Sequence, residues 1–356
     1  MKKSFLVAAA TAVCGNIALA QSSVTLFGVV DVNVGWIDNN ASSWQLGTNG
    51  MSTSRLGFRG VEDLGGGLKA GFWLEGEFDA DTGTGKASYG NGDSAPFLFQ
   101  RRATVSLSNA YGELRLGRDY VPTYWSWSAY DPFGACGVGS SQNLAQDREL
   151  LSGTNGNYGT LTRASNMASY ILPGGTVGDG LTGQLSAAAG EGAPGNKYFG
   201  GRIGYASGPF SVAAAYGVTD VSVSGDITAA AWNVGGSWNF GFVKLMGFFN
   251  QLDVSGGLFA GSRQANWLVG AAAPYGQWNF KIAYSQADGS GTISGNGGTQ
   301  FAIGADYNLS KRTALYATYS TIDNKGDSAF KVLAASPELS PGRSSQGMQV
   351  GVRHTF

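Results

Sequence analysis

Residues 54–78 read SRLGFRGVEDLGGGLKAGFWLEGEF, and their spacing decides the fold. In the first half, Arg55 and Arg59 fall on one face of an extended chain, with Leu56 and Phe58 on the other. After the glycines, Phe72 and Leu74 alternate with Trp73, Glu75 and Glu77. A period of two is the side-chain repeat of a β-strand. Gly65, Gly66 and Gly67 supply a tight turn, so the stretch reads as a hairpin with one apolar and one charged face. An apolar face of this kind packs against a core or against lipid, and the rest of the chain decides which.

The same alternation recurs along the chain. Trp278, Phe280, Ile282 and Tyr284 oppose Asn279, Lys281 and Ser285; near the start, Leu26, Val30, Val32 and Trp36 oppose Thr25, Asp31 and Asn33. Sixteen such runs are predicted. The first eight lie at 23–36, 52–62, 67–79, 97–108, 112–119, 165–173, 181–190 and 198–206. The second eight lie at 209–217, 228–238, 242–252, 264–274, 276–286, 299–309, 312–322 and 346–356. Their connections alternate between short turns and long loops, the long ones at 37–51, 80–96, 120–164, 253–263, 287–298 and 323–345. An even strand count, with short turns on one rim and long loops on the other, is the pattern of an antiparallel transmembrane β-barrel. A large β-sandwich shares the alternation. It does not account for the even count, the rhythm of the loops or the aromatic end of QVGVRHTF at 349–356.

The start and the composition agree. Lys2 and Lys3 precede an apolar run from Phe5 to Leu19 that ends in Ala18-Leu19-Ala20. This is the form of a secretory signal peptide, 1–20, cleaved after Ala20 to leave Gln21 first. A membrane anchor fits less well, because the run is short and broken by Gly15 and Asn16. The mature chain, 21–356, reads as one barrel; it keeps only Cys136 and forms no internal disulfide. Without Lys2 and Lys3 it carries 21 basic against 24 acidic side chains, which argues against nucleic acid as a partner. Charged residues are 13% of the chain, well under the usual ~25%, so a large part of its surface meets something other than water. The mature chain offers no 18-residue apolar run for a spanning helix, which leaves strands to cross the membrane.

Five segments resemble the general porins of the Gram-negative outer membrane, in the branch typified by anion-selective trimeric porins. They are SSVTLFGVVD at 22–31, TSRLGFRGVEDLGGGLKAGFWLEGEF at 53–78, RRATVSLSNAYGELRLGRDYVP at 101–122, YNLSKRTALYATYS at 307–320 and GVRHTF at 351–356. The resemblance implies a 16-stranded barrel and a homotrimer seated in outer-membrane lipid and lipopolysaccharide. It implies that Phe356 is an assembly signal read by the barrel-assembly machinery. It also implies that a third loop, 120–164, folds inward as a constriction, and that small ions and hydrophilic solutes diffuse past it.

In that family a ladder of arginines lines the waist opposite carboxylates. The SRLGFRG match carries this role to Arg55, the QRRATVSL match to Arg101 and the TRASNMASY match to Arg163. Alternation that puts Ala103, Val105 and Leu107 outward turns Arg102 inward and Arg101 towards lipid; a bulge between the two would bring both into the lumen, so both are candidates. Glu75 is the wall carboxylate, with Glu77 and Asp31 in the same water, and Asp131 is the loop carboxylate, with Asp147 and Glu149 as weaker candidates. Turning Arg55 against hydrocarbon would cost ~2–4 kcal/mol at the midplane, whereas facing water costs little. Guanidiniums stay charged and a low-dielectric waist focuses their field on passing anions. The net mature charge of −3 argues mildly for cations. Screening over ~8 Å at physiological salt gives the waist more weight than the total. Lys244 and Lys281 have lumenal parity; Trp36, Tyr307, Tyr316 and Phe356 read as an interfacial aromatic girdle. Gly28 reads either as a site of close subunit packing or as a tolerated strand glycine.

Two other readings stand beside the diffusion channel: a substrate-specific porin, and a barrel that works as an adhesin or receptor through its external loops. Enzymatic chemistry finds no support. The chain has one histidine, His354, no cysteine–histidine cluster, and a GTGK at 83–86 without the spacing of a phosphate loop. No catalytic residue, metal site or cofactor is expected.

Overall fold

A computed structural model describes residues 23–86, 99–145, 161–191, 197–221, 226–333 and 336–356. The expected signal peptide, Asp147 and Glu149 lie outside the described residues. The first six strands are β1 (Ser23–Asp38), β2 (Ser42–Thr48), β3 (Arg55–Gly65), β4 (Leu68–Glu77), β5 (Arg102–Asn109) and β6 (Gly112–Tyr120). Next come β7 (Arg163–Ile171), β8 (Gly180–Ala188), β9 (Tyr198–Ser207), β10 (Phe210–Asp220), β11 (Thr228–Asn239) and β12 (Lys244–Ser255). The last are β13 (Arg263–Tyr275), β14 (Trp278–Ser290), β15 (Gly297–Asn308), β16 (Thr313–Lys325) and β17 (Ser345–Thr355).

Each strand pairs antiparallel with its neighbours, and β1 closes on β17 from Val29↔Thr355 to Asp38↔Gln346. β2 and β3 share one stave. β2 pairs with the later half of β1, Val32↔Thr48 to Asp38↔Ser42, and β3 with the earlier half, Ser23↔Val61 to Val29↔Arg55. Seventeen segments thus make a closed barrel of sixteen staves. The expected long loop at 37–51 is corrected here: β1 runs on to Asp38 and β2 returns beside it. The run expected at 97–108 becomes a strand only at Arg102.

The pleat sorts the side chains. Val105, Leu107, Ile203, Phe301 and Val350 stand exposed on the outer face, while Asn33, Gln184, Asn233, Gln300 and Gln349 are buried inside. This inversion of a soluble protein suits a wall with lipid outside and polar groups within. Tyr316 departs from the expected girdle. It is buried on the inner face and its hydroxyl donates to Asp31 Oδ1 at 2.5 Å. Its neighbour Leu315 takes the outward position. The Asp31 carboxylate also accepts the backbone N–H groups of Gly50, Met51 and Ser52, and so secures the break between β2 and β3. It is fully buried rather than open to lumenal water.

The seam depends on Gly28. Gly28 and Phe356 exchange both backbone hydrogen bonds, each at 3.1 Å. A Cβ on Gly28 would lie 2.3 Å from the Phe356 ring, so the terminal aromatic occupies the space that a side chain would need.

After β6 the chain turns inward. A short helix, α1 (Tyr124–Tyr130), leads to a 3₁₀ turn at Ser141–Leu144. Trp127, Tyr130 and Phe133 pack with Ala213, Phe248, Leu268, Ala283 and Ala302 from the inner wall. Glycines make room for them. A Cβ on Gly235 would lie 2.3 Å from Tyr130, on Gly270 2.5 Å from Pro132, and on Gly304 2.9 Å from Phe133. A main buried apolar cluster of the molecule is therefore the contact between this infolded segment and the barrel wall.

Candidate functional site

The inner face of β3 to β7 carries the charged groups. Glu75 lies directly opposite Arg102 across the β4–β5 ladder, so the two share a face. Arg101 precedes β5, where the pleat has not begun. Its backbone N–H donates to Glu75 O at 3.1 Å and its guanidinium turns to the same side. Nε donates to Glu75 Oε1 at 2.6 Å, Nη1 to Glu77 Oε2 at 3.1 Å and Nη2 to Tyr120 Oη at 2.7 Å. Simple alternation, which turned Arg101 towards lipid, is thereby corrected. Arg102 faces inward by parity; Arg101 stands just outside the paired register, which ends at Glu75↔Arg102, and its N–H meets the same Glu75.

The other groups extend the cluster. Arg55 Nε lies 3.8 Å from Glu75 Oε1, and Trp73 Nε1 donates to Glu75 Oε2 at 3.2 Å. The Arg102 guanidinium sits 4.4 Å over the Trp73 ring, with Nε 3.3 Å from Asp119 Oδ2. Asp119 also accepts from Arg115 at 2.8 Å, and Arg115 grips Glu113 through two bonds of 2.9 Å. Arg163 opens β7 with its guanidinium 4.0 Å over the Tyr120 ring, and its Nη2 donates to Tyr120 Oη. Among the described residues Arg163 has no carboxylate within ion-pair distance, and its Nε is buried without a partner. Five guanidiniums, of Arg55, Arg101, Arg102, Arg115 and Arg163, thus meet four carboxylates, of Glu75, Glu77, Glu113 and Asp119.

Asp131 does not join them. It is 5% exposed and bound inside its own segment, accepting from Phe133 N, Ser141 N and Ser141 Oγ at 2.7–2.9 Å. Burial pushes its carboxyl above the ordinary carboxylate value, against those bonds. The expectation that it is a waist carboxylate is corrected: it organises the segment. Lys281 is likewise engaged, 2.6 Å from Asp306. The infolded segment still reaches the charged wall. Burial raises the Cys136 thiol, and the nearby guanidiniums of Arg101 and Arg55 act in the opposite sense.

Neutral amides hold that segment to the other wall. Asn233 donates to Thr123 O at 2.8 Å, Gln264 to Leu144 O at 2.7 Å and Gln300 to Val138 O at 3.0 Å; Val138 N donates to Gln349 Oε1 at 3.0 Å. Sequence reasoning missed these anchors, along with Arg115, Asp119, Glu113 and Tyr120. Inward parity marked the amides, and Tyr120 stands in the quoted GRDYVP stretch.

The profile of the Gram-negative porin family matches residues 6–327. Outer membrane porin protein 32 of Delftia acidovorans is 39% identical over 367 aligned residues, covering both chains fully. An outer membrane porin protein of Bordetella pertussis is 29% identical, also over the whole of both chains. The solved anion-selective porin from Comamonas acidovorans superposes with a TM-score of 0.83 at 37% identity, covering 94% of this chain and all of that one. The trimer form of OmpT from Vibrio cholerae shares the fold, with a TM-score of 0.68 at 13% identity over 94% and 99% of the two chains.

Proposed function

The chain belongs to the Gram-negative porin family and is an outer-membrane porin, and on that premise we propose that its arginine wall and infolded segment form the waist of an anion-preferring diffusion channel. The observation that carries this reading is the excess, among the described residues, of guanidiniums over carboxylates around Glu75, with Arg163 in no ion pair there. Charge pairs largely cancel at a distance, so the residual field at the waist is positive, and low-dielectric walls focus it on the water between them. Arg55, Arg101, Arg102 and Arg163 supply the attraction, with Glu75 holding Arg55 and Arg101 in place and Asp119 holding Arg102. Small hydrophilic solutes pass down their gradient. No catalytic step, metal or cofactor enters.

The rest of the reading follows from kinship and from the seam. Residues 1–20 are a signal peptide, and 120–164 form the constriction loop. The barrel works as a homotrimer in contact with lipid and lipopolysaccharide, and Phe356 is the signal by which the assembly machinery takes it up. Its pairing with Gly28 supports that role, because the residue that is read is also the one that closes the barrel.

The test is the zero-current potential of purified protein in a planar bilayer across a KCl gradient. A potential of the sign for chloride passage, diminished in Arg55→Ala, is expected. The cationic sign would overturn the anion preference, and a barrel that does not conduct would return the surface-binding reading.

A further inference from the structure

Among the described residues Arg163, like Arg118 near it, has no carboxylate within ion-pair distance, yet it is not loose. Its guanidinium meets Tyr120, whose hydroxyl accepts from Arg163 Nη2 on one side and from Arg101 Nη2 at 2.7 Å on the other. The ring of Tyr120 lies between the Arg163 guanidinium and the parallel ring of Tyr124, whose centroid is 4.6 Å away at an interplanar angle of 1°. Trp125 meets the same ring edge-on at 4.9 Å and donates its indole N–H to Gln184 on the wall. Tyr120 therefore joins three things: Arg101, Arg163 and the start of the infolded segment.

The chemistry of the joint matters. A phenol oxygen has two acceptor lone pairs and one O–H. Two guanidinium N–H groups use both lone pairs, so the O–H is left to donate. A carboxylate in this position would hold the two arginines more strongly, and would also cancel one of their charges. A hydroxyl fixes both and cancels neither.

We propose that Tyr120 is the positioning residue for selectivity: its hydroxyl ties Arg163, which no carboxylate pairs among the described residues, to the Arg101–Glu75–Glu77 cluster beside the infolded segment, keeping its positive charge at a fixed place in the waist. The inference rests on the barrel's being an anion-preferring channel, and it adds the residue that sets the strength of the preference. Without the hydroxyl, Arg163 keeps the ring face and loses the side-chain acceptor that Tyr120 provides, so its charge spreads over more orientations.

The test is the chloride-to-potassium permeability ratio of Tyr120→Phe, Arg163→Gln and the double variant, with the heat-induced gel-mobility shift as the check that each barrel has folded. Tyr120→Phe is expected to lower the ratio about twofold, the change produced when a unit charge recedes from about 4 to about 8 Å of the ion at water-like dielectric. Arg163→Gln lowers it at least as much, and the double variant matches Arg163→Gln, because both act through one charge. An unchanged ratio in a folded Tyr120→Phe barrel, or full additivity in the double variant, overturns the proposal. If Tyr120→Phe does not fold, Arg163→Gln alone decides, and an unchanged ratio there overturns it equally. The sign of the wild-type potential tests the channel reading, whereas the change on removing one hydroxyl tests Tyr120, so the two can fail separately.

Discussion

The inner wall of β3 to β7 holds a cluster of guanidiniums and carboxylates, whereas the wall of β11 to β17, its Lys281–Asp306 pair apart, meets the infolded segment with neutral amides and glycines. Both surfaces face the inside of one barrel, and each is matched to what it touches. Where a backbone must be anchored, an amide satisfies one carbonyl or N–H without adding charge that would need its own partner. Where solutes pass, charge is useful, and it is kept in place by opposite charge close by. Burial makes both arrangements firm: Gln264, Gln300 and Gln349 are each about 2% exposed or less, and Arg101 is 6% exposed.

Breaking the charged wall is expected to have the largest effect. Arg101→Ala leaves Glu75 buried and Glu77 half-buried without their strongest partner, and loss of one member of a buried pair costs about 3–5 kcal/mol. The midpoint of heat-induced barrel unfolding should fall clearly, and anion preference with it. An unmoved midpoint would mean that Arg55 holds Glu75 alone.

Breaking the neutral wall should cost less and read out differently. Gln349→Leu strands Val138 N–H beneath the segment, an unsatisfied donor worth about 1–3 kcal/mol. The expected result is faster protease cutting within 121–145, with the permeability ratio little changed. A large change in ratio with no change in cutting would show that the two walls do not divide their tasks in this way.

The smallest effect concerns Asp131. Its carboxyl is raised in the folded segment by burial. It therefore holds its proton more tightly folded than unfolded, so the segment gains stability as pH falls through the raised value, and the gain is complete below the ordinary value near 3.8. Protease resistance of the segment should rise as the pH is lowered from neutral towards the ordinary carboxylate value. In Asp131→Asn that rise should disappear; its persistence would assign it to another group.

The barrel was legible because alternation is a local property of each strand and lipid demands it on every stave. The apolar face of SRLGFRG, the even count and the outward runs on β5 and β17 could all be read without knowing a single contact. The inward placement of Arg55, Arg102 and Glu75 follows from the same parity. Tyr316 was within reach of that rule through Leu315, but its aromatic type suggested the rim; only its bond to Asp31, 285 residues away in sequence, shows why it is inside.

The sequence by itself determined the alternation of outward and inward positions along the strands, how many staves close the barrel and where the long third connection begins. The tertiary structure alone decided the side of Arg101, the inward knot of Asp31 with Tyr316, the withdrawal of Asp131 into its segment and the meeting of Arg101 and Arg163 on one hydroxyl. The physical reason is where each kind of information resides. A pleat repeats every two residues and is written along the chain. Arg101 stands just before a pleat starts, and Tyr120 and Arg163 stand at strand ends beyond the register shift between Gly117 and Asp119. There the local rule stops, and partners brought together across the barrel decide which way a side chain turns.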